Sequence, residues 1–379
     1  MGDNTENLVG ELDLDEFRGI VLSPVNRKPI ELQQDIITFL KKGDFDVIID
    51  PQLYVPGSER GCLSDQPYFP SDIDTADVAS DGWWAGLSDS LAAYVLSLGV
   101  DAVASPAVLP NVWSSEYYSR CADTARYLKQ SLPSDLRVLT TVMVDFKQMA
   151  DPNIVLSTAS IVSETETDGY YLVIVSDVEP RRELTGENEL AGVMSLIRQL
   201  ENTDRPVLVS HCSADMVLFK AAGATHCATG KYFNLRRFTR SRYEETDSGG
   251  KLIAYWFEQG LLAFLRGADV LRILKAGFNG IVGVGDSRND WSQTIQDQFA
   301  SDPDKPWVKY GWRQYLSWFG KAELRLSTLT PEALVQAWLV TAEQNWLDLE
   351  DAGVLVDEPR NQGQWVRSWR QAFNRFRNV

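Results

Sequence analysis

The chain is predicted to fold as an α/β protein, a (β/α)8 TIM-like barrel carrying a C-terminal tryptophan-rich helical appendage, with an open parallel α/β sheet as the alternative. Three observations predict it. Short β-rich runs recur through Asp286, each ending in a polar or proline-bearing loop. Amphipathic helical patterns separate most of them, and alternation of strand, helix and strand builds a parallel sheet. The runs are close to continuously apolar, as strands covered on both faces must be.

In order, the strands are read at 18–24 (RGIVLSP), 45–51 (FDVIIDP), 101–109 (DAVASPAVL), 137–145 (RVLTTVMVD), 170–177 (YYLVIVSD), 206–212 (PVLVSHC), 225–231 (THCATGK) and 280–286 (GIVGVGD). Crossover helices are read at 29–43, 83–99, 116–132, 187–202 and 213–223. Eight such strands favour closure, whereas six or seven would suit an open sheet. From Asp290 onward the strand-like runs stop, and eight of the twelve tryptophans fall there. A helix starting at Thr330 and Pro331 and stopping at Gly353 places Leu334, Trp338, Ala342, Trp346 and Leu349 near one face. Trp365, Trp369 and Phe373 repeat that spacing. The division is therefore a barrel over 1–289 and a helical extension over 290–379. Its aromatic stripes either anchor the extension to the barrel or remain exposed as a protein-partner surface, documented by Trp307, Trp312, Trp318, Trp338, Trp346, Trp365 and Trp369.

Composition narrows the function classes. The apolar fraction of 44% and charged fraction of 23% belong to a globular chain, not a disordered one. A formal charge of −17 opposes general nucleic-acid binding, so contact with a polyanion requires a local basic patch. The opening MGDNTENLVGELDLDEF has no cationic n-region and no apolar h-region, which predicts a cytoplasmic protein. No run is apolar for long enough to span a membrane. Cys62, Cys121, Cys212 and Cys227 form no C-x-x-C pair and suit a reducing compartment. No cofactor signature is present.

Ligands of parallel α/β folds bind at the carboxyl ends of the strands, which selects the polar residues to weigh. Asp50, Asp145 and Asp177 end apolar runs, where lost hydration raises a carboxyl pKa toward acid/base or nucleophilic use. Each can equally cap a following helix or pair with an arginine. His211 and His226, the only two histidines, each precede a cysteine. Successive strand residues point to opposite faces, so His and neighbouring Cys do not share a site, and no metal is predicted. In ATGKYFNLRRFTRSR, Lys231, Arg236, Arg237, Arg240 and Arg242 alternate with aromatics, a composition suited to phosphate or carboxylate. Pairing with Glu244 and Glu245 is the competing reading. The GVGD of Gly283–Asp286 offers a weak backbone nest for an anion.

The run RPVLVSHC through AAGATHCATGKYFNLRRF resembles, in layout, the late barrel of tRNA-guanine transglycosylases, and IIDPQLYV resembles that family's early strand-end aspartate segment. The resemblance implies a β/α barrel in which Asp50 is the early acid. No Ser-Gly-Gly-Phe run follows Asp50, His226 or Cys227 stands where the late aspartate belongs, and the zinc-binding cysteines are absent. The expected function is binding of a phosphate-bearing ligand, a nucleotide or nucleic-acid segment, at the C-terminal barrel face. Lys231, Arg236 and Arg237 would hold the anion, with His226 and Arg240 beside them, while Asp50, Asp145 or Asp177 with His211 performs chemistry of a transglycosylase-like or related nucleotide-processing kind. The alternative is a barrel without turnover that serves as a subunit of a larger assembly, docked through its C-terminal helices.

Overall fold

The computed structural model describes residues 17–40, 45–55, 61–70, 72–74, 76–243, 253–302, 305–356 and 362–378. The N-terminal segment read for targeting, the tail of the first predicted helix after residue 40, and Glu244 and Glu245 lie outside the described residues.

Seven strands pair in sequence order, every pair parallel: β1 (Gly19–Leu22), β2 (Asp46–Ile49), β3 (Ala102–Ala104), β4 (Arg137–Asp145), β5 (Gly169–Ser176), β6 (Val207–Val209) and β7 (His226–Cys227). Between successive strands run α1 (Pro29–Leu40), α2 (Asp81–Leu98), α3 (Ser115–Gln130), α4 (Pro152–Ser163), α5 (Glu187–Glu201) and α6 (Met216–Ala221). This is the predicted parallel α/β, barrel-type architecture. The sheet curls until its two edge strands, β1 and β7, wall one cavity. Inner faces carry Val21, Ile48, Ala104, Leu139, Met143, Tyr171, Val173, Leu208 and Ala228, packed as one cluster. Outer faces meet the helices in two further clusters. Two-residue alternation makes this division: Leu208 pairs with His226 on the inner face, while Val209 pairs with Cys227 on the outer.

The predicted eighth strand, 280–286, is not a strand. It forms turns and a 3-10 turn at Gly285–Ser287, with Gly283 and Gly285 at positive φ (73° and 56°). Its amides are drawn off by Glu258, whose carboxylate accepts from Gly283 N (2.6 Å), Val284 N (3.4 Å), Gly260 N (3.0 Å) and Trp256 Nε1 (3.0 Å). The backbone amides read as a nest in GVGD are therefore taken up by the chain's own Glu258 carboxyl group. Among the described residues no strand pairs with the free edge of β1 or β7. A two-residue strand, β8 (Phe238–Thr239), instead joins the upper end of β5, beyond the point where β6 stops opposite Leu172. It returns the loop after β7 across the mouth.

Following a hairpin of β9 (Trp256–Glu258) and β10 (Ala263–Leu265) come α7 (Gly267–Lys275), α8 (Asp290–Ser301), α9 (Val308–Thr328), α10 (Pro331–Asp351) and α11 (Gln364–Arg377). None is split from the barrel by a break in the core, because residues on both sides of position 289 share one cluster. Trp318, Trp365 and Trp369 are fully buried, and Trp369 Nε1 donates to Leu184 O at 2.7 Å, tying α11 to the loop before α5. The remaining tryptophans of this region are buried or half-buried. Leu316 and Phe319 of α9 face the gap between β1 and β7, so this helix covers the place of an eighth β/α unit. No helix among the described residues is long and apolar enough to cross a membrane.

Candidate functional site

The gap between β1 and β7 encloses about 300 Å³ and runs from the carboxyl ends of the strands, near Asp50 and His211, to their start, near Asp46 and His226. Its mouth is built by residues immediately following strands. Ser23 follows β1, Asp50 and Gln52 follow β2, Ser210 and His211 follow β6, and Arg242 returns on the loop after β8.

At the end of β6 the chain takes a left-handed turn at His211 (φ 57°). Arg242 Nη1 donates to His211 Nε2 at 2.8 Å, and a guanidinium has no lone pair to accept. Nε2 therefore carries no proton, and the Nδ1 proton faces Ser210 Oγ at 3.0 Å. Ser210 Oγ in turn donates to Leu172 O at 3.2 Å. Burial, with Arg242 beside it, holds the imidazole well below its ordinary range, so His211 is neutral near pH 7.

Asp50 is buried against the inner face of the same mouth. Its Oδ1 accepts from Tyr54 Oη (2.7 Å) and Gln52 N (3.1 Å), and its Oδ2 from Tyr171 Oη (3.0 Å) and Gln52 Nε2 (3.3 Å). Burial raises its pKa, opposed by these hydrogen bonds. The four donors occupy the lone-pair sites of the carboxylate, which makes Asp50 the anchor of Tyr171 and Gln52. Gln52 also adopts positive φ (53°). Two non-glycine residues in this conformation at one mouth mark backbone held in place by its surroundings.

Three polar groups at the mouth retain unused bonding capacity. Ser23 Oγ and Gln52 Oε1 are buried with no hydrogen-bond partner among the described residues, although the two side chains are 6% and 3% exposed. Buried polar atoms of this kind are costly unless something meets them. Among the described residues only Nη1 of Arg242 is engaged, to His211 and, at 3.4 Å, to Asn234 O.

The remaining sequence candidates lie elsewhere. Asp145 and Asp177 do not join Asp50; both face Arg240, at 2.8 Å and 3.8 Å. Arg237 lies in the core between Glu183 and Asp215, 3.0 Å from each. Arg236 donates to Gly230 O and Lys231 O, both at 2.8 Å, and stacks 3.6 Å over Tyr315, with burial lowering its pKa to about 10. Lys231 and Arg236 line a second cavity, of about 480 Å³, where the ammonium of Lys231 lies 4.6 Å over Tyr232 and 4.9 Å over Trp312. Lys231, Arg236 and Arg237, expected to hold the anion, are therefore not brought to the mouth where His211 stands: carboxylates take up Arg237 and Arg240, backbone carbonyls take up Arg236, and Lys231 and Arg236 face the second cavity. His226 starts β7 at the opposite end of the seam, 59% exposed and 3.9 Å from Glu323, so the histidines do not converge. Among the described residues no group of three or more His, Cys, Asp or Glu is placed to hold a metal ion.

Sequence reasoning missed Ser23, Gln52, Tyr171 and Ser210, and passed over Arg242 within its cluster. Position after a strand was the available signal for Ser23, Gln52 and Ser210. Nothing local separates Arg242 from its neighbours.

No protein-family model matches the chain. No curated protein matches it. Among solved structures, the crystal structure of xylanase B from Clostridium stercorarium F9 is similar over 62% of this chain and 88% of that one, at 11% identity and a TM-score of 0.35. A likeness so low carries no argument about this chain's chemistry, and the architecture rests on its own strand order.

Proposed function

We propose that the chain binds a phosphate-bearing ligand at the carboxyl-end mouth of its barrel-like sheet, with Arg242 as the anion contact. The observation that carries this reading is Arg242 lining a cavity with one guanidinium nitrogen engaged, together with Ser23 Oγ and Gln52 Oε1, which have no hydrogen-bond partner among the described residues. Phosphate fits this set because its oxygens accept from the guanidinium fork and a serine hydroxyl together. Gln52 Oε1 accepts a hydrogen bond from a ligand hydroxyl or a singly protonated phosphate. The volume lies at the low end for small-molecule sites.

Binding is favoured over chemistry at the mouth, since Asp50 has its lone pairs filled and His211 has both ring nitrogens engaged. Asp50 then acts through Tyr171 and Gln52, as a positioning residue. For a nucleotide-processing or transglycosylase-like activity the support is the place of Asp50 at a strand end alone. The subunit reading has less support, because the tryptophans that motivated it pack within the chain.

Calorimetric titration with inorganic phosphate, nucleoside monophosphates and short oligonucleotides, at two salt concentrations, tests the proposal. Phosphate compounds are expected to bind, with Arg242→Ala weakening them at least tenfold and Arg240→Ala leaving them within about twofold. Binding unchanged by Arg242→Ala, or absent at low salt, overturns it.

A further inference from the structure

We infer that the ligand is an amphiphile, a phosphate on an aliphatic body, which lies along the seam between β1 and β7. This rests on the proposed anion contact at Arg242. The polar groups with unused bonding capacity among the described residues, Ser23 Oγ, Gln52 Oε1 and Arg242, lie at the upper end of the cavity. Below them the walls are Val21 and Ile48 on one side, Leu208 and Ala228 on the other, with Leu316 and Phe319 of α9 closing the outside. In a closed barrel an eighth strand would fill this line with its own side chains. Among the described residues no strand does, and the edges of β1 and β7 leave an elongated, mostly aliphatic slot.

The shape discriminates between ligand bodies. A nucleobase is recognised by stacking between rings and by hydrogen bonds to its edge. Along the seam the rings are Tyr171, level with Leu208 and held through its hydroxyl by Asp50, and Phe319 of α9, each set among aliphatic side chains. An alkyl or prenyl chain gains by burial alone, at about 0.8 kcal/mol for each methylene, or roughly three- to fourfold in affinity. Buried Ser23 Oγ and Gln52 Oε1 place a hydroxyl or a protonated phosphate oxygen beside the head, not along the tail. The lower end is lined by Glu323, whose carboxylate pairs with Lys220 at 3.1 Å, and by His226, which is 59% exposed. The aliphatic walls end there, and the gain per methylene ends with them.

The test compares inorganic phosphate, ethyl, butyl, hexyl and octyl phosphate, and adenosine monophosphate, by calorimetry on the wild-type chain. Affinity is expected to rise about three- to fourfold per methylene from ethyl phosphate and then level off, with adenosine monophosphate below hexyl phosphate. Ala228→Leu narrows the slot, and is expected to flatten the length dependence while inorganic phosphate binds as before. Arg242-dependent binding with no length dependence, or tighter binding of the nucleotide than of every alkyl phosphate, overturns the inference and leaves the anion site standing. Loss of all Arg242 dependence removes the anion site itself.

Discussion

Single side chains in this molecule are mostly accounted for by partners of opposite kind, which makes the exceptions informative. Glu258 is the clearest case of an ionisable group set by its surroundings. Burial pushes its carboxyl up to about 7, against four hydrogen bonds from Gly260, Gly283, Val284 and Trp256 that favour the charged form. A carboxyl raised in the folded state binds its proton there at pH values where the unfolded chain has released it. Stability from this group is therefore full at low pH and falls as pH rises from the ordinary glutamate range toward and past 7. Glu258→Gln removes that dependence. Urea unfolding at pH 5 and pH 8 should show the substitution to be less harmful at pH 8, by on the order of 2 kcal/mol. Equal cost at both pH values would show that Glu258 is charged throughout.

At the scale of elements, strand existence was legible and strand closure was not. Strands β1 to β7 follow from apolar runs bounded by turn residues, and α10 from Thr330, Pro331 and Gly353. The run GIVGVGD carries the same apolar pattern, yet its glycines permit positive φ and Glu258, distant in sequence, captures its amides. Such a competitor is invisible to local pattern. β8 was missed for a related reason, since two residues form a strand only because β6 ends early and exposes the edge of β5. The arginine cluster was legible as a cluster, but its division was decided by Glu183, Asp215, Asp145 and Asp177 arriving from other elements. Arg237 joins the loop before β8 to Glu183 ahead of α5 and Asp215 at the start of α6. Burial pushes Glu183 up to about 7 even with this guanidinium present. Arg237→Ala leaves two buried carboxyls without a cation and is expected to cost about 3–5 kcal/mol in denaturant unfolding at neutral pH. A loss under about 1 kcal/mol would contradict a structural role for the pair.

Across the whole molecule, the place of an eighth barrel strand is taken by α9 and an elongated cavity, and the two histidines mark its opposite ends. The site was half legible: Asp50 and His211 were identified from strand ends, whereas Ser23, Gln52 and Arg242 depended on how the chain curls. Because the chain has only two histidines, long-range proton–nitrogen spectra of the imidazoles report on both ends separately. With Arg242 donating to Nε2, the spectrum of the free protein at pH 6.5 should show His211 neutral and protonated at Nδ1. Addition of a phosphate compound should move the His211 Nε2 resonance as the guanidinium turns toward the anion, and leave His226 in place. A protonated His211 in the free protein, or a saturating phosphate ligand that shifts His226 alone, would contradict the account.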